Sequence, residues 1–121
     1  QRFSLYHLMS ISLLLTTIRW AINSSMADMP YVMFATQTLH AFSFAVTHAV
    51  AMEFLRKNFA KNAHGQGQAF YAAVSFGAGA GAGAYLSGVL WEGSPELTFI
   101  AAAFASLLAW LLTSIFLKSR L

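Results

Sequence analysis

Four apolar stretches, each about as long as a bilayer is thick, constrain this chain more than any other feature. A membrane-spanning helix needs about 20 mostly apolar residues. Residues 3–22, 31–55, 69–91 and 97–117 each meet that length. Three short polar segments separate them: Asn23-Ser24-Ser25 to Pro30, Arg56-Lys57-Asn58 to Gln66, and Glu92-Gly93-Ser94-Pro95-Glu96. Each holds the Ser, Asn, Gly or Pro that ends a helix or turns the chain. No alternating segments of about ten residues occur, so a membrane β-barrel is not supported. The expected fold is all-α, a polytopic membrane protein with four transmembrane helices.

Composition narrows the class further. Hydrophobic residues make up 58% of the 121 and charged residues 9%, against about 25% charged in a soluble domain. A chain this small has too little interior to hide so much apolar surface from water. The absence of Cys excludes a disulfide scaffold, and 15% aromatics exclude a disordered tail. The net charge of +3 rests on seven Lys and Arg and reads as membrane topology, not as a nucleic-acid face. Arg56, Lys57 and Lys61 lie in the middle loop, Arg2 and Lys118 with Arg120 at the two ends. The opposite side carries Asp28, Glu92 and Glu96. The positive-inside rule therefore places both ends and the middle loop in the cytoplasm. The first stretch lacks a small-residue cleavage pattern and is followed by three more spans, so it is not a signal peptide. The start at Gln1 fits a fragment. The sequon Asn23-Ser24-Ser25 abuts a helix end and reads as a chance match.

Polar residues inside the spans carry the functional information. Arg19 lies near the outer end of the first span; a charge there either snorkels to the interface or faces a protein interior. Trp20 beside it fits an interfacial position. In the second span, Gln37, His40 and His48 fall within an arc of about 80° at about 100° per residue. Thr36 and Thr47 border that arc. Lone histidines in helices usually just satisfy a neighbour, but two histidines and a glutamine on one face read as a cavity lining. Histidine also titrates near physiological pH, which makes a proton pathway chemically available. Glu53 lies across the helix, beside Arg56 and Lys57, and reads as an interfacial partner of the basic loop.

The third span contains Gly77, Gly79, Gly81 and Gly83 alternating with alanines, then Gly88. The small-xxx-small spacing is that of closely packed membrane helices, so these glycines read as packing positions. Tyr71 and Ser75, one turn apart near its start, are cavity-lining candidates. No G-x-G-x-x-G, metal-ligand spacing, phosphate loop or Ser/His/Asp set occurs. No cofactor or metal is expected, and the sequence gives no positive evidence for an enzyme. The fourth span, rich in Ala, Leu and Phe, reads as a lipid-facing support helix.

The run Gln37-Thr38-Leu39-His40-Ala41-Phe42-Ser43-Phe44 followed by His48 resembles the tenth helix of the lactose-permease-like branch of the major facilitator superfamily. The subgroup it resembles is the phenylpropionate-type permeases, through Gly67-Gln68 in a basic loop and a glycine-rich helix ending in Gly88-Val89-Leu90-Trp91. Arg19 falls near the position of a functional arginine in the ninth helix. The resemblance implies helices nine to twelve of a twelve-helix, proton-coupled secondary carrier in a bacterial inner membrane. It implies a small organic solute as substrate, such as an aromatic acid, a proton as co-substrate, and the remainder of the transporter chain as partner. Arg19 and His40 carry over. The acidic and lysine positions one turn either side of the family histidine are Ser43 and Gln37 here, so the charged network does not carry over. Two other readings stand beside this one. A complete four-helix small multidrug transporter has about this length but a membrane-embedded Glu in its first helix, which is absent here. A non-transporting assembly subunit leaves the His and Gln stripe without a purpose.

Overall fold

A computed structural model describes residues 4–118; Arg2, Phe3 and Arg120 lie outside them. Helix α1 runs Leu5–Met26 and α2 Pro30–Asn58. A short 3-10 turn, Lys61–Ala63, leads into α3, His64–Ala72. A π-helical segment, Ala73–Gly79, joins α3 to α4, Ala80–Gly93. Helix α5, Pro95–Leu112, ends in a second π-helical segment, Thr113–Leu117.

The helix ends have local causes. Pro30 opens α2, where its missing N–H would have had no intrahelical acceptor. At the other end of α2 the Asn58 side chain donates to the Phe54 carbonyl at 2.8 Å. Ser94 caps α5 by accepting from the Leu97 N–H, with Pro95 in the first turn and Glu96 favourable beside it. Helices outlast their apolar runs at several ends. Helix α1 takes in Asn23-Ser24-Ser25, so the sequon lies within a helix and Asn23 is buried.

Among the described residues, three helical stretches are long and apolar enough to cross a membrane: Leu5–Met26, Lys61–Gly93 and Pro95–Leu117. Helix α2, at 29 residues, has the length but falls short in apolarity. Thr36, Gln37, Thr38, His40, Ser43, Thr47 and His48 dilute it.

Helix α1 is central, packing along both α2 and α5, while α3 meets α2 and α4 meets α5. What these seams bury is unusual for a protein. The buried apolar residues are Leu5 and Val50; the buried polar ones are Ser12, Arg19, Asn23, Thr36, Ser43, Thr98, Ser106 and Thr113. Large apolar side chains such as Phe34, Phe104, Ile115 and Phe116 point outward. A water-soluble fold does the reverse. Polar seams and an apolar exterior are the arrangement expected in lipid, where small side chains let backbones approach and hydroxyls bond across helices. The chain is an all-α integral membrane protein.

In the α1–α2 seam, Thr36, Ser43 and Val50 repeat every seven residues along one face of α2. Ser12 and Thr47 share a hydrogen bond of 2.9 Å across it. In the α1–α5 seam, Thr17 and Ser106 are 2.9 Å apart and the Tyr6 hydroxyl donates to Ser114 at 3.2 Å. Helix α5 is therefore not uniformly lipid-facing. Its few polar side chains, Thr98, Ser106 and Thr113, are the ones it turns inward.

A candidate transport site between the first two helices

The polar residues of α2 divide among three environments. Around the buried face formed by Thr36, Ser43 and Val50, successive residues turn by about 100° each. His40 falls at the edge of that face, while Gln37 and His48 lie further round.

His40 shares a cleft of about 300 Å³ with Arg19, Leu13, Thr16, Trp20, Ser43, Phe44 and Thr47. Arg19 does not snorkel to the surface: it is 3% exposed. Its guanidinium carbon sits 3.8 Å from the centroid of the Trp20 ring, a cation–π contact worth about 2 kcal/mol or more where water is excluded. The Arg19 Nε has no hydrogen-bond partner among the described residues. Asn23, one turn further along α1, is buried with its Oδ1 also unpartnered. A buried, incompletely bonded cation is costly and favours an acceptor that completes its donor fork. The cleft thus joins a cation, an imidazole, three hydroxyls and two aromatic walls.

Aromatic stacking fixes one end of this arrangement. Trp20 stacks on Phe99 of α5 with centroids 5.8 Å apart. Phe99 meets Trp91 of α4 edge-on at 6.0 Å. Three helices are therefore tied together one residue from Arg19.

His48 belongs to a different group. Its Nδ1 is 3.4 Å from the Tyr71 hydroxyl, and its ring stacks on Phe44 at 6.2 Å. Phe76 meets His48, Phe44 and Tyr71 at about 6 Å. Phe44 spans both groups, because it also lines the Arg19 cleft and lies 5.9 Å from His40. Tyr71 and Ser75 line an apolar crevice of about 370 Å³ with Met9, Phe54, Phe70 and Leu117. Gln37 is exposed and sits apart from both histidines, beside Pro30, Met33 and Phe34. The structure therefore joins Arg19 to His40 and His48 to Tyr71, and leaves Gln37 outside both groups.

Among the described residues, no side chain packs directly against most of the glycine run. A Cβ added at Gly77, Gly81, Gly83 or Gly88 would meet nothing within 4 Å. At Gly79 it would come within 3.1 Å of the Val74 carbonyl oxygen, five residues back in the π-helical turn, where the wider ring of bonds crowds the backbone. The one buried glycine is Gly67, whose Cβ would lie 3.1 Å from the Phe59 ring. The sequence reading passed over Ser12, Asn23 and Ser43 as packing and site residues. The seven-residue spacing of Thr36, Ser43 and Val50 is a signal for Ser43; Ser12 and Asn23 lie on α1, outside that pattern.

The profile of the MFS_1 like family matches residues 1–101. The chain belongs to that family. It thus stands within the major facilitator superfamily, whose members are membrane transporters, and its role is in membrane transport. No match was found among curated proteins or among solved structures.

Proposed function

We propose that the carrier moves a small organic anion with a flat apolar body, such as an aromatic acid, and that Arg19 and His40 hold it. The observation that carries this reading is the cleft between α1 and α2. A buried guanidinium with an unpartnered Nε, an imidazole and aromatic walls from Trp20 and Phe44 line one space. A carboxylate would complete the guanidinium fork, and the rings would cover the apolar part. His40 orients the substrate as a neutral imidazole, which donates from one nitrogen and accepts at the other. Gln37 and His48 line the route to it, and the reading extends the substrate and proton pathway across Arg19, Gln37, His40 and His48.

On this reading the four helices are helices nine to twelve of a twelve-helix secondary carrier. It works by alternating access around a midplane site and is driven by a proton gradient in a bacterial inner membrane. Both chain ends then lie in the cytoplasm. The glycines at 77, 79, 81, 83 and 88 face helices of the opposing half and slide against them.

The test is substrate binding and uptake by the full-length carrier. His40→Ala should weaken binding strongly, while His40→Gln and His40→Asn should keep part of it. A pH gradient should still drive whatever uptake remains. A His40→Gln variant that binds normally but loses its response to the gradient would make His40 the proton relay. Reporter fusions at Asn62 and Lys118 should read cytoplasmic, and fusions at Asp28 and Ser94 external.

A further inference from the structure

A second groove lies where α2 ends and α3 begins, away from the Arg19 cleft. It holds about 500 Å³ and is lined by Ala49, Met52, Glu53, Leu55, Arg56, His64 and Gln68. That volume is within the range of small-molecule sites, about 300–1,000 Å³. Its walls are graded. Ala49, Met52 and Leu55 form an apolar side along α2, and Arg56, His64 and Gln68 form a polar end beside the turn into α3.

The groove sits where the second apolar stretch gives way to the basic segment, so its two ends match the two parts of a lipid at the membrane boundary. Residues 53–61 carry three cations, Arg56, Lys57 and Lys61, against one carboxylate, Glu53. Basic pockets between membrane helices are where anionic headgroups bind. The polar groups are already partly committed. Arg56 donates to both Glu53 oxygens, at 2.6 and 2.7 Å, which uses two of the five N–H donors of a guanidinium. Lys57 also lies 3.8 Å from Glu53. His64 donates from Nε2 to the Phe59 carbonyl at 3.0 Å, because a carbonyl can only accept. With Nε2 committed, Nδ1 is the ring nitrogen left to face the groove.

We infer that this groove is a binding site for an anionic phospholipid. Arg56 holds the lipid phosphate, His64 and Gln68 hold headgroup hydroxyls, and the acyl chain starts along Ala49, Met52 and Leu55. Glu53 opposes the site by occupying Arg56 and repelling the phosphate. The two halves of that ion pair therefore act in opposite directions, which a merely structural pair would not.

The experiment measures lipid retained by the detergent-purified full-length carrier, using phosphatidylglycerol and phosphatidylcholine of identical chains. Phosphatidylglycerol should be retained in preference. Arg56→Gln should reduce its retention roughly fivefold, in line with the pull of one cation near a lipid surface. Glu53→Gln should increase it. Ala49→Trp, which fills the apolar wall and leaves every charge in place, should reduce it. If Arg56→Gln fails to fold, the opposed signs of Glu53→Gln and Ala49→Trp decide alone. Equal retention of the two lipids overturns the inference, as does lower retention in Glu53→Gln. Displacement by inorganic phosphate would make the site one for a free anion and overturns the lipid assignment. Unchanged retention in Ala49→Trp would place the lipid on surface charge outside the groove, and overturns it too.

Discussion

The seams around α1 and the glycine run between Gly77 and Gly88 use small residues for opposite situations. Around α1, serines and threonines fill the seams, and Ser12 and Thr17 bond to a neighbouring helix. At Ser12, Thr36 and Ser43 exposure is 2% or less. Along most of the glycine run, no described side chain packs directly, and the adjoining Tyr85, Leu86 and Val89 are exposed. The contrast shows that small side chains permit close approach without causing it. The α1 seams have hydroxyls that bond across them; the glycine run offers only shape, and shape needs a partner surface. This chain supplies partners for the first and none for the second among its described residues.

The largest expected effect comes from crowding the buried seam. Ser43→Leu places a branched side chain where α1 and α2 touch at a position 1% exposed. Overpacking of this kind costs about 1–3 kcal/mol. The folded fraction in detergent should fall, and the Arg19–His40 cleft beside it should lose substrate binding. A Ser43→Leu protein with wild-type melting temperature would mean that the seam is loose.

Two glycines sharpen the comparison within one helix. Gly67→Leu drives a side chain into the Phe59 ring and should lower the melting temperature of the carrier. Gly81→Leu should leave the packing of α1, α2 and α5 intact, because nothing of this chain lies within 4 Å of it. In the full-length carrier, however, Gly81→Leu should abolish uptake with the helices still folded, since the proposed partner is the opposing half. Unchanged uptake would leave the glycine face against lipid.

Much of the fold is legible in the sequence because helices in a membrane are dictated by runs of apolar residues. The boundaries slipped where polar residues stayed helical, as at Asn23. Arg19 and His40 are each indicated by the family resemblance, residue by residue; their common cleft needs the register of α1 against α2, which no residue pattern states. The grouping of Gln37 with the histidines shows the reason. Gln37 and His48 share a helix face but lie about 16 Å apart along the axis at 1.5 Å per residue, and only His48 meets α3. A helical wheel carries angle and discards depth. The glycine run drew attention as a packing device because its composition is conspicuous. The seven-residue spacing of Thr36, Ser43 and Val50 is quieter, yet that is the face that packs.

The smallest effect tests what holds the seams. Thr17 and Ser106 lie 2.9 Å apart across α1 and α5. Each also reaches back to its own helix, Thr17 to the Leu13 carbonyl at 3.0 Å and Ser106 to the Ala103 carbonyl at 2.9 Å. A hydroxyl has one proton, so only one of the two can donate across the seam at a time while the other donates back. Their coupling should therefore be modest, near the ~0.6 kcal/mol average for hydrogen bonds between membrane helices. A double-mutant cycle with Thr17→Val and Ser106→Ala, read by denaturation in detergent, measures it directly. Coupling near zero would mean that both protons stay on their own helices and that α1 and α5 are held at this point by close approach alone. The hydroxyl seam would then differ from the glycine run only in having a neighbour, and the contrast drawn between the two regions would reduce to the presence of a partner.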